Sequence, residues 1–373
     1  MNIIHVIVGL PASGAELFLQ RLSFEQRNAN YHITVISLTT EGTLGEALRS
    51  RGVNVLFLGL SGVLSVPLVV YKLRKHISNI RPDIIQSWMY HADFFSSLAM
   101  FGLNKKLIWS VRCSNIPAGS YFTLALMKIC SLLSYVSPAR VCYVAEASKV
   151  FHQSQGYSPK KSITIANGYD FSSLVYSEKK RNSFRESLSL DKHVTVFGLV
   201  GRFHKDKGQD ILLEAFSKLK ADISNYKILL VGRECNNDNH QLVNLINSYG
   251  LDENVILLGE QNDISGLLSA MDIYVMGSRT EGFPNALAEA MSIGLPCIAT
   301  NVGDAALLAD KYAVLSEANS NSLADAILAV VKMPVEQRKM LGIHAADHVR
   351  KSFSIVEIKK LYDQLYHSLL EKK

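Results

Sequence analysis

The chain has 373 residues, of which 48% are hydrophobic and 19% charged, and its formal net charge is +6. This length exceeds one compact core and fits two α/β domains, and the composition is that of a folded globular protein. Five widely spaced cysteines without a CxxC pair argue against a disulfide framework or a zinc site and favour a reducing compartment. The N-terminal segment predicts a strand rather than a signal peptide, and no uncharged apolar run reaches the roughly 18–20 residues of a membrane span. We therefore expect a cytoplasmic protein.

The charge is unevenly distributed along the chain. Residues 1–181 contain 19 basic and 9 acidic residues, whereas residues 182–373 contain 20 basic and 24 acidic residues. The first half, at +10, would attract nucleic acid, anionic lipid headgroups or phosphorylated substrates through the same Coulombic attraction. A basic surface without any partner is equally compatible with this count.

Apolar patterns alternate between the periods of strands and helices, which predicts parallel sheets covered on both faces. In the first half, Ser13 and Glu16 have the spacing of a helix capping box. The strands predicted there end at Gly9 and cover 32–38, 53–58, 83–87, 107–111 and 141–144. The helices predicted there start near Ser13, cover 66–79, start near His91 and cover 121–135.

The same alternation restarts after a polar, basic stretch, so the chain contains one architecture twice. Predicted strands cover 194–200, 227–231, 255–258, 273–276 and 296–300, with helices at 208–220, 239–249, 263–270 and 285–293 and two more at the C-terminus. This predicts a first domain over 1–170, a linker over 171–191 and a second domain over 192–352. The last helix, about 353–373, has an apolar face that suits either domain, the first included. Open parallel sheets bind ligands beyond the carboxyl ends of their strands, so we expect a catalytic site in strand-to-helix loops between the two domains.

Two loops in the second half have the residues for binding a sugar diphosphate. The first, from Gly201 to Gly208, follows a buried strand and opens a helix, and its Arg202 and Lys207 suit an anion at a helix N-terminus. The second runs from Ser278 into a helix that contains Glu289, with Glu281 in the loop before it. Carboxylates accept hydrogen bonds from sugar hydroxyls, and an acid in so apolar a helix as that of Glu289 needs partners.

The segment from Glu281 to Glu289 resembles the E-x7-E signature of retaining glycosyltransferases with the two-Rossmann (GT-B) fold, and its surroundings resemble glycosyltransferase family 4. Gly201-Arg202 with Lys207-Gly208 resembles that family's GR-x4-KG loop, and residues 167–170 resemble its NG[IV]D turn at the domain junction. Residues 13–16 resemble its first-loop GG-x-E motif, with Ser13 in place of one glycine. The four motifs occur in the family's order.

The resemblance implies a role for each of these positions. Arg202 and Lys207 would neutralise the donor diphosphate, Glu281 would contact the transferred sugar, and Glu289 would hold the ribose hydroxyls. The other donor-binding positions that the resemblance implies are Gly14, Gly201, Gly232, Arg233, Gln261, Gly282, Phe283, Pro284 and Asn285. No D-x-D motif occurs, which fits a metal-free reaction on a nucleotide sugar without any cofactor, and we expect a UDP-sugar rather than a GDP-sugar. Retention at the anomeric carbon rests on the resemblance alone.

The basic first half should hold the acceptor. His91, at a predicted strand end, would lie near the transferred sugar by the same resemblance, and Arg112 is an acceptor-side candidate. A hydrogen-bonded structural histidine is the alternative for His91, and helix capping is the first expectation for Glu16. Many relatives in bacterial surface-polysaccharide synthesis use lipid-linked acceptors, so we expect peripheral contact with the inner face of the cytoplasmic membrane through the basic helix at 71–77.

Three other classes remain open at this stage. A sugar-nucleotide epimerase would share the fold but isomerise its donor without an acceptor. A phosphorylase of this fold would need a pyridoxal-phosphate lysine, for which no motif is present. A polyanion-binding module would leave Glu281 and Glu289 unexplained, so we expect no nucleic-acid partner. A dinucleotide dehydrogenase and a Walker-type nucleotide-binding protein are disfavoured, because residues 9–16 match neither glycine motif.

Overall fold

The computed structural model describes residues 1–113 and 120–371. The chain forms two compact units, one consisting of residues 1–169 together with the C-terminal segment from Phe353, and the other of Asp170–Ser352. The final two residues of the predicted C-terminal helix lie outside the described part. Among the residues that the structure describes, none of the helices has the length and apolar content that a bilayer crossing requires.

The first unit contains a seven-stranded parallel sheet in the order β3-β2-β1-β4-β5-β6-β7. Its strands are β1 (Asn2–Ile7), β2 (His32–Ser37), β3 (Asn54–Phe57), β4 (Ile84–Trp88), β5 (Lys106–Val111), β6 (Arg140–Tyr143) and β7 (Ser162–Thr164). Its helices are α1 (Gly14–Asn28), α2 (Gly45–Ser50), α3 (Val66–Ile80), α4 (Met89–Met100), α5 (Tyr121–Leu133), α6 (Glu146–Ser154) and the C-terminal α15 (Ile355–Leu370).

The second unit repeats this arrangement with a six-stranded parallel sheet in the order β10-β9-β8-β11-β12-β13. Its strands are β8 (Thr195–Val200), β9 (Tyr226–Val231), β10 (Val255–Gly259), β11 (Ile273–Met276), β12 (Cys297–Thr300) and β13 (Val314–Ser316). Its helices are α7 (Glu178–Ser187), α8 (Gln209–Lys218), α9 (His240–Ser248), α10 (Ile264–Ala270), α11 (Asn285–Ile293), α12 (Ala305–Ala309), α13 (Ser320–Lys332) and α14 (Val335–Phe353). The prediction of two Rossmann-like domains is confirmed.

The predicted linker at 171–191 differs from the structure, in which this segment belongs to the second unit and contains helix α7. Arg181 and Arg185 of this helix both pair with Asp272, which precedes β11, at 2.6 and 3.2 Å. Arg185, which is buried, also donates to the carbonyl groups of Ala270 and Val194. Helix α7 is thus attached by ion pairs and hydrogen bonds to carbonyl groups rather than by an apolar face. Because its sequence has no apolar stripe, it resembles that of a linker.

Short elements at the sheet edges also escape the sequence pattern. The edge strands β7 and β13 have three residues each, too few to show a period. After the strand predicted at 296–300, the chain forms one strand and four helices, where the sequence predicts two helices.

A buried chain of hydrogen bonds attaches α15 to the first sheet. The Tyr366 hydroxyl donates to Oε1 of Gln86 in β4, and it accepts a bond of 3.2 Å from Nε2 of Gln26 in α1. Gln26 Oε1 in turn lies 2.9 Å from Nε2 of His5 in β1. All four side chains are fully buried. Because a buried polar group requires a partner, this network fixes the position of α15 on the first unit.

The tautomer of His5 follows from the same network. Trp88 Nε1 donates to His5 Nδ1 over 3.2 Å, so the His5 proton lies on Nε2 and points to Gln26. Burial lowers the pKa of His5 to about 4, partly offset by the hydrogen bond with Gln26. The ring is therefore neutral at physiological pH.

The turn at residues 167–170 is where the C-terminal segment meets the first unit. Tyr169 donates to the carbonyl of Phe353 and accepts from the amide of Ile355, over 2.9 and 2.8 Å. A Cβ at Gly168 would lie 2.9 Å from Ile355. The glycine of the predicted junction turn thus makes room for the start of α15.

We predict that Tyr366→Phe destabilises the protein by about 1–3 kcal/mol, because it leaves the buried amide groups of Gln86 and Gln26 without their shared partner. Urea unfolding of the whole chain measures this change. Tyr135→Phe, at an exposed tyrosine, is the matched control and should change the free energy of unfolding by less than about 0.5 kcal/mol. Equal stabilities of the two variants would contradict the role given to the network.

Candidate active site

The loop after β8 and the loop after β11 are in direct backbone contact. Gly208, which caps α8 with a φ of +64°, lies so close to Gly277 that a Cβ there would stand 1.9 Å from the Gly277 carbonyl oxygen. The amide of Arg279 donates to the carbonyl of Asp206 over 2.8 Å. These contacts fix the two predicted phosphate- and sugar-binding loops side by side.

A salt bridge between side chains links the same two loops. The Arg279 guanidinium donates to both carboxylate oxygens of Asp210, at 2.7 and 2.5 Å, and to the carbonyl of Lys205 at 2.8 Å. Burial raises the pKa of Asp210, but the hydrogen bonds and charge of Arg279 outweigh burial, and the pKa is lowered overall. Sequence reasoning did not identify this pair, since nothing in the spacing of positions 210 and 279 shows that they meet.

Lys207 and Glu281, the predicted cation and sugar-binding acid, form an ion pair. Lys207 Nζ lies 2.7 Å from Glu281 Oε1, and the same oxygen accepts a 2.7 Å hydrogen bond from the Ser278 hydroxyl. The Glu281 side chain is only 10% exposed, whereas that of Lys207 is 32% exposed. An ammonium has three donors, so Lys207 is able to bind an anion while it holds Glu281. Ser278 is a site residue that the sequence analysis passed over.

A cavity of about 230 Å³ opens beside this pair. Seven of the predicted site residues line it: Gly201, Lys207, Glu281, Phe283, Pro284, Asn285 and Glu289. Tyr274 of β11 lies in its wall, and burial, followed by the charges of Cys297, Glu281 and Glu289, raises the pKa of Tyr274 far above its ordinary range. Glu289 is half-buried on α11, between fully buried Ala288 and Ala290. The cavity thus combines one cation, two carboxylates and the first turn of a helix.

Four other predicted donor-binding residues do not line the cavity. Arg202 is exposed, and Gly282 accepts a 3.0 Å bond from the amide of Asp304. Gly232 meets the first loop, since its Cβ would lie 2.5 Å from the Gly201 carbonyl oxygen. Arg233, 70% exposed, pairs loosely with Glu260 at 3.5 Å.

Gln261, the remaining donor-binding prediction in the second unit, donates to the carbonyl of Leu258 in its own loop over 2.6 Å. This loop follows β10, and the Gly232 amide after β9 bonds to Gly259 at the end of β10 over 2.7 Å. The loops after β8, β9 and β10 therefore meet at one sheet edge. Nothing in residues 1–113 and 120–371 brings three acidic, histidine or cysteine side chains together as a metal site would require.

In the first unit, His91 lies in the opening turn of α4, directly after β4. Burial lowers the pKa of His91, so the ring is neutral at physiological pH. Its ring centroid lies 5.9 Å from that of Phe122 on α5. The backbone just before it is strained, because Met89 has a φ of +70°. A strained strand end is compatible with the predicted functional position of His91.

Arg112, predicted on the acceptor side, has a structural explanation. Its guanidinium donates to the Ile165 carbonyl over 3.0 Å and to the Tyr362 hydroxyl of α15. It also lies over the rings of Phe18 and Trp88, 4.7 and 5.3 Å from their centroids. These contacts account for the residue without an acceptor.

The first loop of the unit differs from the predicted capping box. The Ser13 hydroxyl donates to the carboxylate of Glu16, and the N-cap side chain accepts no backbone hydrogen bond. Gly14 begins α1, and a Cβ there would meet nothing within 4 Å. The protein's own packing therefore does not require glycine at this position, and its donor contact remains a prediction.

We predict that Gly208→Ala lowers stability by more than about 2 kcal/mol and disrupts the cavity, because the new methyl group collides with Gly277 and the φ is positive. Gly259→Ala separates the two causes, since Gly259 has a φ of +62° with open space around it. That control should cost only the backbone strain, about 1 kcal/mol. Thermal unfolding of both variants measures the difference, and equal melting temperatures would show that the loop contact is unimportant.

Two family models match the chain, one in each unit. The family model described as glycosyltransferase family 4 matches residues 12–173, and the model described as glycosyl transferases group 1 matches residues 180–348. The capsular polysaccharide biosynthesis glycosyltransferase CapH of Staphylococcus aureus is 23% identical over 367 residues, which are 97% of this chain and 98% of CapH. An Escherichia coli enzyme named UDP-Gal:alpha-D-GlcNAc-diphosphoundecaprenol alpha-1,3-galactosyltransferase is 28% identical, over 60% of this chain and 59% of its own.

The fold has close counterparts among solved structures. Anabaena HepE in complex with UDP superposes with a TM-score of 0.85 at 22% identity, covering 99% of this chain and all of HepE. The lipopolysaccharide outer core galactosyltransferase WaaB gives a TM-score of 0.72 at 15% identity, covering 99% of each chain. At such identities these likenesses concern the fold, while the family models together account for most of the sequence. The chain belongs to glycosyltransferase family 4 and is a glycosyltransferase with two Rossmann-like domains.

Proposed function

We propose that this protein is a retaining glycosyltransferase that moves a sugar from a UDP-sugar to a hydroxyl of a lipid-linked glycan in bacterial surface-polysaccharide synthesis. The observation that carries the proposal is the Lys207–Glu281 ion pair at the wall of the cavity that Glu289 also lines. The pair places a cation, which suits the diphosphate of a nucleotide sugar, beside a carboxylate, which suits the hydroxyl groups of the sugar.

Lys207 is the group proposed to bind the donor diphosphate. Its ammonium is oriented by Glu281 before any ligand arrives, and the first turn of α11 adds backbone dipole to the same cavity. Charge that develops on the departing phosphate would meet a donor that needs no reorganisation. Arg202, exposed near the same loop, would add the second positive charge.

The acceptor hydroxyl is proposed to attack from the face that the diphosphate leaves, with its proton passing to a departing phosphate oxygen. Glu281 is not needed as a general base in this scheme, and its Oε1 already accepts from both Lys207 and Ser278. It would instead hold hydroxyls of the transferred sugar, and Glu289 those of the ribose. His91, neutral, would donate or accept a hydrogen bond near that sugar.

The choice of donor and acceptor is supported by named relatives. HepE has been solved with UDP and with UDP-glucose, and the E. coli relative is named for transfer to a diphosphoundecaprenol-linked sugar. CapH and a second relative, the O-antigen biosynthesis glycosyltransferase WclY, are named for surface polysaccharides. A lipid-linked acceptor would bring the enzyme to a membrane, and the net charge of +10 on residues 1–181 would favour an anionic leaflet.

We predict that Lys207→Gln lowers kcat for transfer from a UDP-sugar by about 10²–10³-fold, by analogy with the loss of one oxyanion-hole donor. The matched control is Lys205→Gln, two residues earlier, whose side chain lines a different cavity. The control should change kcat by less than about threefold, as expected for an exposed charge. A Lys207→Gln enzyme with the activity of the control would contradict the proposal.

We predict that a chelator leaves the transfer rate within about twofold of the untreated enzyme, because Lys207, Arg202 and the helix dipole supply the charge that a divalent ion supplies in other transferases. The measurement is initial rate in EDTA, with and without added Mg²⁺ or Mn²⁺. Loss of activity in EDTA that either ion restores would show that a metal takes part.

A further inference from the structure

The outer face of helix α5 is mostly apolar, with exposed Lys128 as the exception. The inner face is buried through Leu126, Met127 and Cys130. The outward residues are large and exposed, with Tyr121 81% and Leu132 75% exposed. The other exposed apolar residues of this helix and the turn after it are Phe122, Leu124, Ile129, Tyr135 and Val136. Large apolar side chains on the outer as well as the inner side of a surface helix indicate a second apolar phase against the outer side.

The apolar surface continues from α5 to the end of α4. Leu98 and Phe101 are exposed there, and a cavity of about 350 Å³ lies between the ends of the two helices. Leu103 and Leu133 line this cavity with Lys105 at its side. The last turn of α5 is thus part of a broader apolar surface.

Helix α3 extends the same surface on the other side of α4. Helices α3, α4 and α5 share one buried core against the first sheet, which places their outer faces in one layer. The outward stripe of α3 and the turn before it begins with the exposed apolar residues Leu64, Leu68 and Tyr71 and ends with exposed Lys75. We call the outer faces of these three helices the α3–α5 surface.

The α3–α5 surface shows no exposed acidic residue, because Asp93, the one acid within α3, α4 and α5, is fully buried. Residues 47–82 contain six basic and no acidic residues, and residues 94–145 contain five basic and none acidic. Lys75, Lys105 and Lys128 are exposed beside the apolar side chains. Apolar and aromatic side chains whose exposed charged neighbours are lysines match the interface of an anionic bilayer, with acyl chains below and phosphates above.

We propose that helix α5 lies in the interface of an anionic membrane, with its outer side chains among the acyl chains and the surrounding lysines at the headgroups. The inference rests on the proposed function, because a lipid-linked acceptor presents its sugar at such an interface. It goes further by naming the surface and by making apolar insertion, rather than charge alone, the source of binding.

This assignment moves the membrane contact away from the basic helix that the sequence pointed to. Arg74 of α3 donates to the carbonyl groups of Ala99 and Phe101, over 3.0 and 2.7 Å. Lys72 donates to the carbonyl of Leu58 over 3.2 Å. The lysines near α5 also have partners in the fold, since Lys105 donates to the carbonyl of Pro82 over 3.3 Å and Lys128 to Oε1 of Gln155 over 3.0 Å. The exposed apolar side chains of α5, rather than any one cation, are therefore the main lipid contact.

The position of α5 also connects the membrane to the predicted site. Phe122, at its first turn, packs 5.9 Å from His91. With α5 in the interface, the first turn of α4, which carries His91, would lie at the level of the headgroups. The sugar of a lipid-linked acceptor would be presented at that level.

A tryptophan at position 132 tests the insertion directly. The native tryptophans, Trp88 and Trp109, are completely buried, so the full-length Leu132→Trp variant adds one exposed reporter. With phosphatidylglycerol–phosphatidylethanolamine vesicles its emission should shift to the blue and be quenched by lipids brominated in the acyl chains. An unshifted spectrum on vesicles that still bind the protein would overturn insertion and leave adsorption by charge.

A loss-of-binding variant supplies the second measurement. Replacing Leu132, Tyr135 and Val136 together by serine should weaken co-sedimentation with the same vesicles at least about tenfold, since apolar burial sets interfacial affinity. The matched control replaces Val335, Met340 and Ile343, exposed apolar residues of α14, by serine and should bind vesicles normally. Unchanged binding of the first variant, or a loss of self-association instead of vesicle binding, would overturn the proposal.

UDP binding and sugar transfer are measured separately from lipid binding. Both serine variants should bind UDP and transfer sugar to a water-soluble, tail-free acceptor like the unaltered protein, because none of the six positions lines the cavity with Lys207. Absence of transfer by the unaltered protein, with vesicle insertion intact, would contradict the proposed function and support the membrane contact.

Discussion

A carboxylate that is nine-tenths shielded from water needs partners, and at Glu281 those partners are Lys207 and Ser278. This requirement joins the loop after β8 to the loop after β11 and places an ammonium at a cavity before any ligand binds. The free energy needed to reorient a cation fixed in this way is small when negative charge develops on the phosphate. The same ion pair therefore holds the two loops together and orients the cation proposed to bind the diphosphate.

The backbone around the pair explains why these loops hold glycine where they do. Gly208 and Gly232 sit at positive φ, each within collision distance of a neighbouring loop's carbonyl. A side chain at Gly208 would push apart the loops after β8 and β11, which line the cavity, and one at Gly232 would push against the Gly201 carbonyl of the loop after β8. In the first unit, Gly168 likewise makes room for α15. Close approach of backbones, rather than flexibility, is the common reason.

Much of this architecture could be predicted from sequence, because buried parallel strands and amphipathic helices give strong periods. Seven of the residues that line the cavity, among them Lys207, Glu281 and Glu289, could be named from their motifs. Helix α7 could not be predicted, because it is attached by the ion pairs of two arginines with Asp272 and not by an apolar face. Nor could the structural role of Arg112, whose partner Tyr362 is 250 positions away. The exposed apolar side of α5 likewise could not be predicted, because both sides of this helix carry apolar residues and only the structure shows which side is buried.

A structure of the protein with a bound UDP-sugar tests the central claim most directly. We expect a diphosphate oxygen about 3 Å from Lys207 Nζ, the sugar hydroxyls at Glu281 and the ribose hydroxyls at Glu289. A nucleotide held away from these three residues, for instance in the separate cavity beside Phe203 and Gln241, would contradict it.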